Sequence, residues 1–187
     1  MFFFFSGGPT GEVTKEGPII FFGNSLTAGV GAGNGEDFPS LVANELNLSN
    51  VIHAGMPGAT TKTALNRIRP DVVDKNPSIV IVELSGNDFL RGIPLDDTVN
   101  NLESITAQIR KTGAAVVLIH IRFPQKADKY EDGFKKIAKK HQALVVWNSL
   151  DGVIGNSALM ADNIHPNAAG YKIMARRVVK VLRPLIK

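Results

Sequence analysis

Cysteine is absent from the 187 residues of this chain. That excludes disulfides, thiolate nucleophiles and cysteine-based metal sites, and leaves the redox compartment open. Long apolar runs are missing too: nothing approaches the roughly 18 consecutive apolar residues that a membrane-spanning helix needs. A strong charge of one sign is also lacking, since 21 Lys and Arg stand against 17 Asp and Glu for a formal net charge of +4. Arg176, Lys180, Arg183 and Lys187 do fall at helical spacing, but no aromatic residues interleave with them. They read as a solvated face near a helix C-terminus and not as a nucleic-acid surface.

What is present suits one globular domain. Hydrophobic residues make up 44% and charged residues 20%, a balance that can bury a real core at this length. The N-terminus is unusual, because Met1 is followed directly by Phe2, Phe3, Phe4 and Phe5 with no basic residue. Such a run is too short for the core of a secretory signal, which takes about 7–15 apolar residues. It fits a remnant of a longer export segment, an expression scar, or a strand or arm that packs elsewhere. With the Gly- and Pro-rich residues 6–11 behind it, the stretch 1–17 reads as a flexible lead-in, and 18–187 as a single domain.

Within that domain, strand and helix patterns alternate. Ile19-Ile20-Phe21-Phe22 is a continuous apolar run that stops at Gly23, a buried strand. A small-residue loop over 26–35 leads to a helical pattern opened by Phe38-Pro39. Val51-Ile52 is a short second strand, ended by His53-Ala54-Gly55-Met56-Pro57-Gly58. Residues 61–69 are predicted helical, with Pro70 as their stop. The β-branched run Ile79-Val80-Ile81-Val82-Glu83-Leu84 shows almost no alternation, as expected of a parallel strand covered on both faces. Asp96-Asp97 starts a helix striped by Val99, Leu102, Ile105 and Ile109 and closed by Gly113. Val116–Ile119 is a fourth strand and Leu144–Val146 a fifth, with a helix marked by Tyr130, Phe134, Ile137 and His141 between them. A loop over 148–166 leads to a last helix striped by Met174, Val178, Val181 and Leu185. Five alternations predict a three-layer α/β/α sandwich around a five-stranded parallel sheet.

In such a sheet the C-terminal strand ends share one edge, and ligands bind there. Ser25 follows the first strand, the Gly55–Gly58 turn the second, and Asn87 the third. Asp162-Asn163-Ile164-His165-Pro166 has a local logic of its own. A carboxylate three residues before a histidine can accept the imidazole Nδ1–H, leaving Nε2 free to take a proton from a serine. Pro166 suits the first position of the following helix. As metal ligands the pair is weak, because no second His or carboxylate lies nearby at ligand spacing. Glycine-rich turns let backbone N–H groups approach an oxyanion, which suits Gly58, and an amide at a strand end, Asn87, adds a second donor. His53, His120 and His141 take structural readings, at a strand end, after an apolar strand and on a helix stripe.

These residues carry a resemblance. Gly23-Asn24-Ser25-Leu26, Gly58, Gly86-Asn87-Asp88 and Asp162-x-x-His165-Pro166 are similar, in order and spacing, to the four sequence blocks of the SGNH (GDSL) hydrolase superfamily. The run Val82-Glu83-Leu84-Ser85-Gly86-Asn87-Asp88-Phe89-Leu90-Arg91-Gly92 and the later Ile121-Arg122-Phe123-Pro124 resemble its bacterial branch of multifunctional acyl-thioesterases, lysophospholipases and arylesterases. The likeness runs from about residue 19 to the C-terminus. It implies a flavodoxin-like SGNH fold and a serine esterase acting on carboxylic esters or thioesters, with no metal and no organic cofactor. It makes Ser25 the nucleophile, His165 the base and Asp162 its orienter. Ser25 N–H, Gly58 N–H and the Asn87 side chain form the oxyanion hole, with Gly55 as the other candidate glycine. It makes residues 89–94 a mobile flap, so that Phe89, Leu90, Ile93, Phe123 and Pro124 border the acyl pocket. It also implies a small-molecule ester or thioester partner, no stable membrane insertion, and a periplasmic or secreted location.

One position departs from the pattern, since the family usually has Asp where this chain has Asn24. The amide keeps an acceptor beside the serine but loses a negative charge. Other readings are a carbohydrate acetylesterase with the same triad, a non-catalytic binding module, and a nucleotide-binding domain suggested by Gly29-Val30-Gly31-Ala32-Gly33. The last fits neither a G-x-G-x-x-G register nor a G-x-x-x-x-G-K-[ST] loop.

Overall fold

The computed structural model describes residues 15–122 and 127–186. The strands are β1 (Ile19–Gly23), β2 (Val51–Gly55), β3 (Ile79–Glu83), β4 (Ala115–Ile119) and β5 (Leu144–Val146). They form one parallel sheet in the order β2-β1-β3-β4-β5. The helices are α1 (Phe38–Glu45), α2 (Thr61–Asp71), α3 (Gly86–Leu90), α4 (Leu95–Lys111), α5 (Ala127–His141) and α6 (Ala168–Leu182).

The lack of alternation in β1 and β3 has the cause expected from the sequence. Ile19 and Phe21 enter one core with Phe38 and Val42 of α1 and Tyr171, Met174 and Val178 of α6. Ile20 and Phe22 enter the other, with Ala64 and Ile68 of α2, Leu102, Ile105 and Ile109 of α4, and Phe134 and Ile137 of α5. The sheet is therefore sandwiched between two helical layers, the predicted α/β/α architecture. Chain order reverses between β1 and β3, because β2 lies outside β1 and the chain returns to the other side. Such a switch point opens a crevice at the strand ends.

Local sequence explains the helix ends. Asp37 caps α1 by accepting the Ser40 N–H at 2.9 Å, and Thr60 and Thr63 form a reciprocal capping box at α2. Asp96 and Asp97 lie in the first turn of α4 and Arg110 and Lys111 in its last, matching the helix dipole.

Four expectations are corrected. β2 extends through Gly55 instead of ending after Ile52, since Phe21, Phe22 and Gly23 pair with His53, Ala54 and Gly55 and an edge strand tolerates a polar residue. Pro70 does not stop α2 at Arg69. It sits in the last turn, where a missing N–H costs one bond, and Arg67 clamps Asp71 across that turn. Pro166 is not the first residue of α6, because Asn167 caps the helix and Pro166 instead bridges Met160. Finally, residues 86–90 are a short helix, so the segment read as a flap begins inside α3. Phe2–Phe5, Phe123 and Pro124 lie outside the described residues.

Candidate active site

Ser25 stands just beyond β1, at the switch point. Gly23 precedes it because no side chain fits there: a Cβ would overlap the Thr27 hydroxyl and the Glu83 carbonyl oxygen. The turn is closed by Ala28 N–H donating to the Asn24 carbonyl at 3.1 Å and Val30 N–H to that of Ser25 at 3.0 Å.

His165 arrives from 140 residues downstream, and its Nε2 lies 3.0 Å from Ser25 Oγ. Its Nδ1 lies 2.7 Å from Asp162 Oδ2. Asp162 Oδ1 meanwhile accepts the backbone N–H groups of Ile164 and His165, each at 2.7 Å. The bond from the His165 side chain, followed by these two backbone donors, holds the exposed Asp162 carboxyl down at about pKa 2. That carboxylate is charged at any working pH, and its Oδ2 fixes the tautomer that leaves Nε2 able to accept a proton. The two loops meet over Gly31, whose φ is +97° and where a Cβ would crowd the Pro166 carbonyl and the side chains of Ala161 and His165. Gly31 thus serves the close approach of two loops, whereas Gly29 lies against Asp37 and Gly33 against Glu36.

Asn87 Nδ2 donates one hydrogen to the Ala59 carbonyl at 2.9 Å, leaving its second for another acceptor. Arg91 Nη2 donates to the Gly58 carbonyl at 2.9 Å, so α3 and the residue that caps its C-terminus hold the Gly58-Ala59 turn from two points. Among the described residues no acceptor is bonded to the backbone N–H of Ser25 or of Gly58. Gly58 has φ +78°, whereas Gly55 is packed against the backbone of Thr27 and Ala28. Asp88, fully buried, accepts from both the N–H and the hydroxyl of Thr61 and so anchors α3 on α2.

A cavity of about 310 Å³ opens at Ser25. Leu26, Phe89, Leu90, Ile121, Leu150, Ile154 and Ile164 form its mostly apolar wall, with Asn24, Asn87, Arg122 and Asn163 as polar members. Of the residues expected to border substrate, Phe89 and Leu90 line it and Ile93 does not. Gly58 is also outside the lining. Leu150, Ile154 and Ile164 were not anticipated, because they come from the irregular 148–166 loop, where periodicity gives no signal.

Two further residues escaped the sequence reading. Glu83 ends β3 wholly buried, and its carboxyl accepts from Asn24 and Thr27 on either side of Ser25. Arg67 of α2 donates to the carbonyls of Gly23 and Ala54 and lies 4.4 Å over the Phe22 ring, tying together the ends of β1 and β2. His120 packs against Phe134 and Trp147, and burial lowers its pKa. Among the described residues, no group of three or more His, Asp or Glu could hold a metal ion, and no helix is long and apolar enough to cross a membrane.

A serine, a histidine and a carboxylate in one hydrogen-bonded row, at the switch point of an α/β sheet, define the class: a serine hydrolase. Known proteins give the family. The sequence model of the GDSL-like lipase/acylhydrolase family matches residues 21–173, and the chain belongs to that family. It is 30% identical over 179 residues to the esterase TesA of Pseudomonas aeruginosa, covering 90% of this chain and 89% of that one. It is 28% identical over 175 residues to the thioesterase 1/protease 1/lysophospholipase L1 of Escherichia coli K12, covering 90% and 84%. The crystal structure of TesA superposes with a TM-score of 0.85 at 28% identity, over 90% of this chain and 99% of that one.

Proposed function

We propose that the protein hydrolyses carboxylic esters and thioesters of short- to medium-chain acyl groups through an acyl-enzyme on Ser25. The observation that carries this reading is the row Ser25 Oγ, His165 Nε2, His165 Nδ1, Asp162 Oδ2, with separations of 3.0 and 2.7 Å, opening into an apolar cavity. Ser25 Oγ attacks the acyl carbonyl carbon as its proton passes to His165 Nε2. The carbonyl oxygen becomes an oxyanion that takes hydrogen bonds from the N–H groups of Ser25 and Gly58 and from Asn87 Nδ2. Collapse breaks the bond to the leaving group, and His165 returns the proton to the departing alkoxide or thiolate. Water then repeats the sequence on the acyl-enzyme and restores Ser25.

The apolar wall favours an acyl chain over an acetyl group on a sugar. The periplasmic or secreted location implied by the family likeness is part of the same reading. The test compares p-nitrophenyl esters from acetyl to decanoyl for the native chain and for Ser25→Ala. Activity that peaks beyond acetyl, and falls by at least about a thousandfold in the variant, is expected. Undiminished hydrolysis by Ser25→Ala would sink the proposal, and a strict acetyl preference would move the substrate to the acetylesterase class.

A further inference from the structure

Glu83 is the buried titratable group that this mechanism leaves without a task. It lies behind the Ser25 turn, outside the lining of the substrate cavity. Its Oε1 accepts from Asn24 Nδ2 at 3.1 Å, and its Oε2 from the Asn24 backbone N–H at 3.4 Å and from Thr27 Oγ1 at 3.2 Å. The other end of the Asn24 amide is engaged as well, since Oδ1 accepts the Leu26 N–H at 2.9 Å. A backbone N–H can only donate, so that bond fixes the orientation of the amide and leaves Nδ2 for Glu83. One carboxyl therefore grips the residues on both sides of Ser25.

We propose that Asn24 and Glu83 form an amide–carboxylate latch that positions the Ser25 turn for reaction, the Asn24 amide hydrogen standing where an acid at residue 24 would need a shared proton. The inference rests on Ser25 being the nucleophile. It follows from counting hydrogens. Asn24 N–H and Nδ2–H are donors only, and Thr27 can donate, so an ionised Glu83 satisfies all three. With aspartate at residue 24, two carboxyl oxygens would face each other across about 3 Å and hold together only while one proton lay between them. Losing it at alkaline pH would set two buried charges against each other and push the turn apart. The amide removes that limit because its hydrogen does not titrate.

Among the described residues, no cation is bonded to Glu83. Arg67 of α2 directs Nη1 and Nη2 to Asp71 and to the Ala54 and Gly23 carbonyls, and Tyr171 of α6 donates to the Val30 carbonyl at 2.8 Å. Asp37, at the head of α1, holds Ser40. His120, past the end of β4, meets Asn148, and His165 meets Asp162 and Ser25. None of these is bonded to Glu83. Burial, opposed by the hydrogen bonds from Asn24 and Thr27, raises Glu83 to about pKa 7, so the charged form that suits the latch prevails on the alkaline side.

Three variants test this: Asn24→Asp, Glu83→Gln and the two together. The readouts are kcat and KM for a p-nitrophenyl ester from pH 6.5 to 9.5, and melting over the same range in a Ser25→Ala background. For Asn24→Asp, the ratio of its kcat to that of the native chain should fall by about tenfold across this range, with KM moving by less than about twofold. Glu83→Gln turns an amide hydrogen toward a donor whichever way it lies, and should lose kcat at every pH. The double variant restores one donor facing one acceptor with the roles exchanged, and should recover kcat to within about threefold of the native chain, with a flat ratio. In the Ser25→Ala background, the melting temperature of Asn24→Asp should drop toward alkaline pH more steeply than that of the chain with Asn24 and Glu83 both in place, and that of the double variant should drop no more steeply than it. A pH-independent ratio for Asn24→Asp, or a double variant no better than its parents, would overturn the latch. Melting reports on the latch whether or not Ser25 is the nucleophile, and loss of hydrolysis in Ser25→Ala reports on the nucleophile alone.

Discussion

Two carboxyls support the Ser25 site, one through His165 and one through the residues flanking the serine, and each accepts at least three hydrogen bonds. Asp162 takes the His165 side chain and the N–H groups of Ile164 and His165. Glu83 takes two hydrogens from Asn24 and one from Thr27. Yet Asp162 is lowered to about 2 and Glu83 raised to about 7. Glu83 has no fewer donors than Asp162, so solvent decides. Asp162 keeps water beside its charge, whereas Glu83 is sealed between β1, β4 and the two cores, where desolvation of the charged form outweighs its donors. The exposed carboxylate can hold an imidazole at all working pH values. The buried one has energy stored in its charge and changes state near neutrality.

The contrast can be broken from either side. The largest effect is expected for Asp162→Asn, which takes away the charge that orients His165: kcat should fall by about 10³–10⁴, with the melting temperature nearly held because the residue is exposed. An equal loss of melting temperature would make Asp162 a structural residue first. The next effect concerns stability against pH. The Glu83 pKa is raised from 4.5 unfolded to about 7 folded, so its stabilising contribution is complete below pH 4.5 and is lost as pH rises through 7. Urea titrations at pH 5 and pH 8.5 should differ by about 3 kcal/mol more in the native chain than in Glu83→Gln. Asp162 runs the other way, since its contribution is present above pH 3.8 and is lost as pH falls toward 2. The smallest effect is expected at the turn after β3, where Ser85 has φ +98° and a buried hydroxyl without a partner. Ser85→Gly relieves both and should stabilise the fold by about 1 kcal/mol in the same titrations.

Much of this was legible because it repeats along the chain. Apolar runs of parallel-strand type and helix stripes specify the sandwich, and the strand-end rule sends Ser25, Asn87 and His165 to one edge despite their separation. The latch was harder to read. Glu83 closes a β-branched run and looks like a strand end, although an acid in a strand covered on both faces is itself a signal, because a buried carboxyl must find donors. Arg67 sits in a polar-looking helix, and only the cross-strand geometry reveals its hold on Gly23 and Ala54. Residues 86–90 are too few to show helical period, and the wall residues Leu150, Ile154 and Ile164 come from a loop with no period at all.

The most direct measurement is the site of covalent trapping. The native protein is treated with a fluorophosphonate carrying a medium alkyl chain, digested and mapped by mass spectrometry, beside Ser25→Ala and His165→Ala. The expected result is one phosphonylated residue, Ser25, with labelling at least about a hundredfold slower in His165→Ala and absent in Ser25→Ala. Labelling at another residue, or at Ser25 with no dependence on His165, would contradict the assignment of nucleophile and base.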